Sequence, residues 1–239
     1  MRKIKEDILI VKNDTDEGAG LLETELKERG IGYTIIDLDQ KQSFPPVQDY
    51  KAIVVLGGPD SANDETEKMK NELTRIREAI TANIPYLGIC LGLQVLVKAA
   101  GGKVVKSPVK EVGFIDPENN YFTVELTAEG RQDPLFEGLG QTLTVFQLHG
   151  ETVELTDKMT LLATGKFCRN QIVKVGQNAY GIQSHFELTP AMFEAWINED
   201  PDLLKLDKEQ LRAHYATIRD EYTRTGQQLF KNFLKAAGF

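Results

Sequence analysis

From Asp7 to Gly102 the chain alternates short apolar runs with stretches of helical periodicity, and no other feature restricts its fold as much. Asp7 to Lys12, Tyr33 to Leu38, Ala52 to Leu56 and Pro85 to Ile89 read as strands, because each is short, apolar and β-leaning. Between them, Ala19 to Arg29 and Glu65 to Ala82 read as helices, the first ended by Gly30. Repeated strand–helix–strand units predict a mainly parallel sheet with right-handed crossovers and helices on both faces. Ligands on such sheets bind beyond the carboxyl ends of the strands. Gly57-Gly58 and Cys90 both fall at those ends, so topology alone predicts that they converge.

Cys90 stands between an apolar strand and Leu91 to Ala100, which reads as a buried helix stopped by Gly101-Gly102. In Gly88-Ile89-Cys90-Leu91-Gly92 the glycines have the spacing of the Gly-x-Ser-x-Gly elbow, where a nucleophile sits on a sharp strand-to-helix bend. A helix N-terminus beneath the sulfur favours a thiolate and offers backbone N–H groups to an oxyanion. A free cysteine on its own is more often a small buried hydrophobe. Two further segments change the balance. Ile53 to Asp60 is an apolar strand running into Gly57-Gly58, whose missing side chains let backbone N–H groups approach a substrate oxygen. Ala179 to Glu187 is strand-like, and in extended backbone His185 and Glu187 project from one face. A cysteine triad needs that relation: an imidazole to take or share the thiol proton and a carboxylate to orient it.

With those residues in view, the sequence resembles the class I glutamine amidotransferases, in the GMP synthase-like branch. Four blocks match in order: Gly57-Gly58-Pro59; Gly88 to Gly92 with Gln94; Gln147-Leu148-His149-Gly150-Glu151-Thr152; and Gln183-Ser184-His185-Phe186-Glu187. Asp133 to Leu139 resembles the segment before the third block, and the likeness runs from about residue 7 to 190. The resemblance implies Cys90 as nucleophile, His185 as base and Glu187 as orienting acid. It implies the backbone N–H groups of Gly58 and Leu91 as the oxyanion hole. Gly57, Gln94 and the backbone around His149 would form the surface for the amino-acid end of glutamine. One position departs: Phe186 stands where the family commonly has proline, which would fix φ. That change is expected to affect partner docking or loop rigidity, with both catalytic side chains retained.

The fold expected is α/β: a three-layer, flavodoxin-like, mostly parallel sheet with helices on both faces, an antiparallel extension and a C-terminal helical segment. Short β-leaning pieces at Val112 to Ile115, Phe122 to Leu126, Leu143 to Leu148, Leu161 to Ala163, Gln171 to Val175 and Tyr180 to Gln183 would form that extension. Pro190 marks a first helical turn, and Lys208 to Ala237 reads as one or two helices packing against the body with a solvated outer face. A single domain over 1–239 is expected, with a core at about 7–190 and a helical extension at about 190–239.

The 239 residues carry 28 Lys+Arg against 36 Asp+Glu, net −8, which disfavours electrostatic binding to nucleic acid or anionic membrane. Met1 to Asp7 is too short and too acidic for a signal peptide, and no apolar run reaches membrane-spanning length. Cys90 and Cys168 make no disulfide framework, so a reducing cytoplasm is expected, with Cys168 structural. There is no Walker loop, no Gly-x-Gly-x-x-Gly after a strand and no zinc-type cysteine–histidine pattern, so no cofactor or metal is expected. The activity implied by the resemblance is hydrolysis of the glutamine γ-amide to glutamate and ammonia through a γ-glutamyl thioester. The ammonia would pass to a synthetase expected on a separate chain. Alternatives are a stand-alone γ-glutamyl hydrolase or peptidase, and a non-catalytic regulatory or redox-sensing protein built around Cys90.

Overall fold

Strand β1 (Glu6–Lys12) sends Ile8 and Ile10 into one core and Leu9 and Val11 into another, with no surface of these four exposed. A strand apolar on both sides must be covered on both sides, the condition of a parallel sheet between helical layers. The elements that follow supply the cover: α1 (Gly20–Arg29), β2 (Tyr33–Asp37), β3 (Tyr50–Val55), α2 (Glu67–Thr81), β4 (Tyr86–Ile89) and α3 (Leu91–Ala99). All of these bounds lie within two residues of the expected ones, with β1 beginning at Glu6 and β3 at Tyr50. This is the computed structural model of the chain, and it describes residues 6–239. Most of Met1 to Asp7, the segment argued against as a signal peptide, lies outside the described residues.

The second half contains β5 (Lys103–Gly113), β6 (Thr123–Leu126), β7 (Thr142–Thr144), β8 (Gln147–Glu154), β9 (Met159–Gly165), β10 (Asn170–Val175) and β11 (Ala179–Ile182), then α4 (Pro190–Glu199) and α5 (Lys208–Ala236). One nine-stranded sheet runs in the order β2-β1-β3-β4-β11-β10-β9-β6-β7. It is parallel from β2 to β11 and antiparallel beyond, so the expected extension is present. Two details correct the expectation. A strand at Val112 to Ile115 is in fact the end of β5, which begins at Lys103 and pairs with β8 as a separate ribbon. Its register shifts between Lys106 and Glu111, around Pro108, which has no N–H for a ladder and belongs at such a bulge. Leu143 to Leu148 also divides: Thr142–Thr144 closes the edge of the main sheet, whereas β8 starts the ribbon.

One sheet face is covered by α1 and α5, through Leu21, Leu22 and Leu26 and through Leu229, Phe230, Phe233 and Leu234. The other is covered by α2 and α3, with Met69, Ile76, Leu93 and Val97 fully buried. The C-terminal segment is one helix of 29 residues. Its lower half enters the core of the sheet, and its upper half joins α4 in a third apolar cluster around Phe114, Phe146, Trp196 and Tyr215. No helix among the described residues is long and apolar enough to cross a membrane.

Candidate active site

At the carboxyl end of β4 the backbone turns through Cys90 with φ 53° and ψ −107°, a conformation that L-residues avoid. It is held there by two hydrogen bonds: the Cys90 N–H donates to Ile182 O at 2.7 Å, and Cys90 O accepts from the Gln94 N–H at 3.2 Å. The flanking glycines are required by contact. A Cβ on Gly88 would lie 2.3 Å from Gly92 O, and one on Gly92 would lie 2.2 Å from Val55 O. The first turn of α3 can therefore sit directly on β3 and β4, and the strain at Cys90, of order 1–3 kcal/mol, is imposed by that packing.

Around the sulfur, Leu148 O lies at 3.8 Å and Gln183 Nε2 at 3.7 Å. Gln183 Oε1 accepts in turn from Gln94 Nε2 at 3.4 Å, so Gln94 reaches the Cys90 sulfur through a fully buried glutamine. Gln183 belongs to the fourth matched block, and the sequence alone assigns it no role. The available signal was period two, since 183, 185 and 187 share one face of an extended chain.

His185 follows β11. Its Nδ1 and Glu187 Oε1 are 2.5 Å apart, with 1% and 2% of the two side chains exposed. The second oxygen, Glu187 Oε2, accepts from the Phe186 N–H at 2.9 Å. Proline at 186 could not make that bond, which gives the departure at this position a physical content. The ring packs edge-on against Trp196, with centroids 5.0 Å apart. Its Nε2 is buried and, among the described residues, has no partner within hydrogen-bonding geometry. Burial disfavours the charged ring, but the Glu187 carboxylate and the adjacent Cys90 side chain outweigh it, and the His185 pKa stands well above the ordinary histidine value.

Cys90, Leu91, Gln94 and Gly58 line a cavity of about 720 Å³, together with Leu148, His149 and Gly150. His185, Glu187 and Gly57 are not part of its lining. No protein acceptor takes the backbone N–H of Gly58 or Leu91 among the described residues. The His149 side chain, on strand β8, is committed inward: its Nε2 lies 2.8 Å from Glu111 Oε2 and its Nδ1 2.9 Å from Glu151 O. Its contribution to the cavity is thus mainly backbone. Glu111, His149 and Cys168 form a buried group of potential metal ligands within 4.8 Å of one another. Sequence spacing could not reveal it, because the three residues stand far apart in the chain. Each is engaged by protein: Glu111 also accepts from Gln171 Nε2 at 3.0 Å and from the Cys168 N–H at 3.3 Å, and Cys168 Sγ lies 3.0 Å from Thr152 Oγ1. The arrangement is a closed hydrogen-bonded network that ties the β5–β8 ribbon to β10.

Comparison with known proteins gives a consistent picture. The family described as glutamine amidotransferase class-I matches residues 15–200. The glutamine amidotransferase-like protein YfeJ of Salmonella typhimurium is 33% identical over 193 residues, 78% of each chain. A GMP synthase (glutamine-hydrolyzing) of Thermosipho melanesiensis is 29% identical over 182 residues, 75% of this chain but 32% of the synthase. The chain therefore spans about a third of that relative. A crystal structure of a glutamine amidotransferase from Thermotoga maritima superposes with a TM-score of 0.85 at 26% identity, covering 96% of this chain and 98% of the other.

Proposed function

The chain belongs to the class-I glutamine amidotransferase family, and on that premise we propose that it hydrolyses the γ-amide of glutamine, with Cys90, His185 and Glu187 as its triad. The observation that carries the reading is the state of His185: Nδ1 tied to Glu187 at 2.5 Å, Nε2 unpartnered, and a proton affinity raised in part by Cys90. A ring held in that way takes the thiol proton and keeps it for the leaving group.

In the first step the Cys90 sulfur attacks the γ-carbon, and the oxyanion that forms accepts from the N–H groups of Gly58 and Leu91. The carbon–nitrogen bond then breaks as His185 gives its proton to the departing nitrogen, leaving a γ-glutamyl thioester. Water, deprotonated by His185, attacks the thioester, and glutamate leaves as the thiol is restored. Glu187 keeps the ring oriented throughout. Gln94 and the backbone at His149 receive the amino-acid end of the donor; Gly57, expected to join them, lies outside the cavity lining and against Glu17. A separate synthetase as recipient of the ammonia is the reading suggested by the GMP synthase relatives, whose name couples synthesis to glutamine hydrolysis.

The test is release of glutamate and ammonia from glutamine by the purified chain and by Cys90→Ala. Loss of the covalent route is expected to lower turnover by at least ~10³-fold, and acid quenching of the wild type should trap a γ-glutamyl adduct on Cys90. A Cys90→Ala protein that keeps most of the activity ends the proposal.

A further inference from the structure

The cavity before Cys90 has a charged side that this chemistry leaves unused. Glu17, in the loop between β1 and α1, lines it. A Cβ on Gly57 would lie 2.3 Å from Glu17 Oε2 and 3.3 Å from Cys90 Cβ. The carboxylate and the nucleophile therefore flank the same bare stretch of backbone, and glycine at 57 is what admits the carboxylate so near. Among the described residues no donor or cation of the protein binds the Glu17 carboxylate. Burial pushes its carboxyl up to about 7; the charge of His185 works against that, while Glu187, Asp14 and Asp200 reinforce it. Asp14 and Asp200 line the same cavity. The two lysines of the lining, Lys106 and Lys110, both come from β5, and Lys110 is paired with Asp202.

The loop bearing Glu17 runs into α1, whose Leu21 N–H donates to Glu187 O at 2.8 Å, so Glu17 stands on the imidazole side of the cavity, where the leaving nitrogen takes its proton. Gln94 and the Leu148–Gly150 backbone come instead from α3 and β8. In a γ-glutamyl peptide the leaving group is an amino acid, with a carboxylate one carbon from the scissile nitrogen. Above pH 7, where Glu17 is ionised beside Asp14 and Asp200, that group is repelled, whereas an ammonium is attracted. The cavity of about 720 Å³ is of a size that holds whole small-molecule ligands, which leaves room for an amine larger than ammonia.

Resting on the hydrolase reading above, we propose that Glu17 is a specificity-determining residue: it makes the leaving-group side a subsite for amines that carry no carboxylate, above all those with a second positive charge, and excludes γ-glutamyl peptides. In the step concerned the sulfur–carbon bond forms, the carbon–nitrogen bond breaks, the amine departs with the His185 proton, and Glu17 exchanges no atom.

The experiment compares three donors, γ-glutamyl-diaminobutane, γ-glutamyl ethylamide and γ-glutamylglycine, by kcat/KM in the full chain, in Glu17→Gln and in Glu17→Lys. The wild type is expected to favour the diamine over the glycine compound by about tenfold or more, Glu17→Gln to erase most of that ratio, and Glu17→Lys to invert it. The same compounds are titrated calorimetrically into Cys90→Ala with and without Glu17→Gln, which reads the preference without turnover. A wild type that handles the peptide as well as the diamine, or ratios that neither Glu17 variant moves, overturns the inference. Absence of turnover with the binding preference intact counts against the hydrolase reading alone.

Discussion

The hydroxyl of Tyr222 on α5 donates to the carbonyl oxygen of His185 at 2.9 Å, with 0% and 1% of the two residues exposed. One turn further along, a Cβ on Gly226 would lie 2.2 Å from Phe186 O, so the helix backbone itself rests on that carbonyl. From the other side the Leu21 N–H donates to Glu187 O at 2.8 Å, and the His185 N–H donates to Phe146 O at 2.8 Å. The segment bearing the imidazole and its carboxylate is thus clamped between α1 and α5, with both side chains held before any substrate arrives.

Tyr222→Phe removes the shorter of two donors to the His185 carbonyl, leaving the Phe146 N–H at 3.5 Å. Stability is expected to fall by about 0.5–1.5 kcal/mol. If the bond positions the imidazole, kcat falls while KM changes little. Denaturant unfolding and steady-state kinetics measure the two effects, and a stability loss with unchanged kcat would reduce Tyr222 to a purely structural role.

Phe186→Pro deletes the N–H that engages Glu187 Oε2, whereas Phe186→Leu keeps it, and both lose ring packing. The proline variant should be less stable than the leucine one by about 1–3 kcal/mol, because a buried carboxylate oxygen loses its donor, and it should also turn over more slowly. Equal kinetics in the two variants would show that the backbone bond does not matter to the triad.

Cys90→Gly is expected to be more stable than Cys90→Ala by about 1 kcal/mol, since glycine accepts the backbone angles at 90 but has more freedom to lose on folding. Under the proposed mechanism both are inactive, which separates strain from chemistry. Matching unfolding curves for the pair would mean that the strain relieved is no larger than the chain entropy glycine adds, about 0.5–1 kcal/mol.

Glu72 on α2 has no exposed surface and accepts from Asn13 Nδ2 at 3.0 Å, and Asn13 packs against Gly58. Burial pushes its carboxyl from 4.5 up to about 7, opposed by the bond to Asn13. A carboxyl that binds its proton more tightly in the folded state favours folding fully at acid pH. That contribution is lost as pH rises from about 4.5 to about 7, then levels off, a loss of about 3 kcal/mol for the group in isolation. Glu72→Gln should therefore gain on the wild type in unfolding experiments at pH 8 compared with pH 5. A difference that is the same at both pH values contradicts the assignment.

How far the sequence is legible follows from the range of each interaction. The alternation of β1 to β4 with their helices, the two glycines around Cys90 and the shared face of His185 and Glu187 are properties of neighbours in the chain, readable from period and spacing alone. Strand β5 was mostly hidden, because Lys103, Lys106, Pro108 and Lys110 mask its pattern and its pairing depends on a partner some forty positions away. The division of Leu143 to Leu148 was hidden for a similar reason: consecutive apolar residues do not say which sheet each piece joins. Gln183 carried a faint period-two signal, while Glu17 stood in an ordinary acidic loop.

By itself, then, the sequence determined the α/β class, the strand-to-helix bend at Cys90 and the family resemblance, since short-range backbone preferences and burial patterns suffice for those. Only the tertiary structure decided that Tyr222 and Gly226 clamp the backbone at His185 and Phe186, that Gln183 touches the Cys90 sulfur, and that Glu17 and Cys90 flank Gly57. Those contacts join residues far apart in the chain, and their geometry comes from how whole helices and sheets pack, which no local pattern encodes.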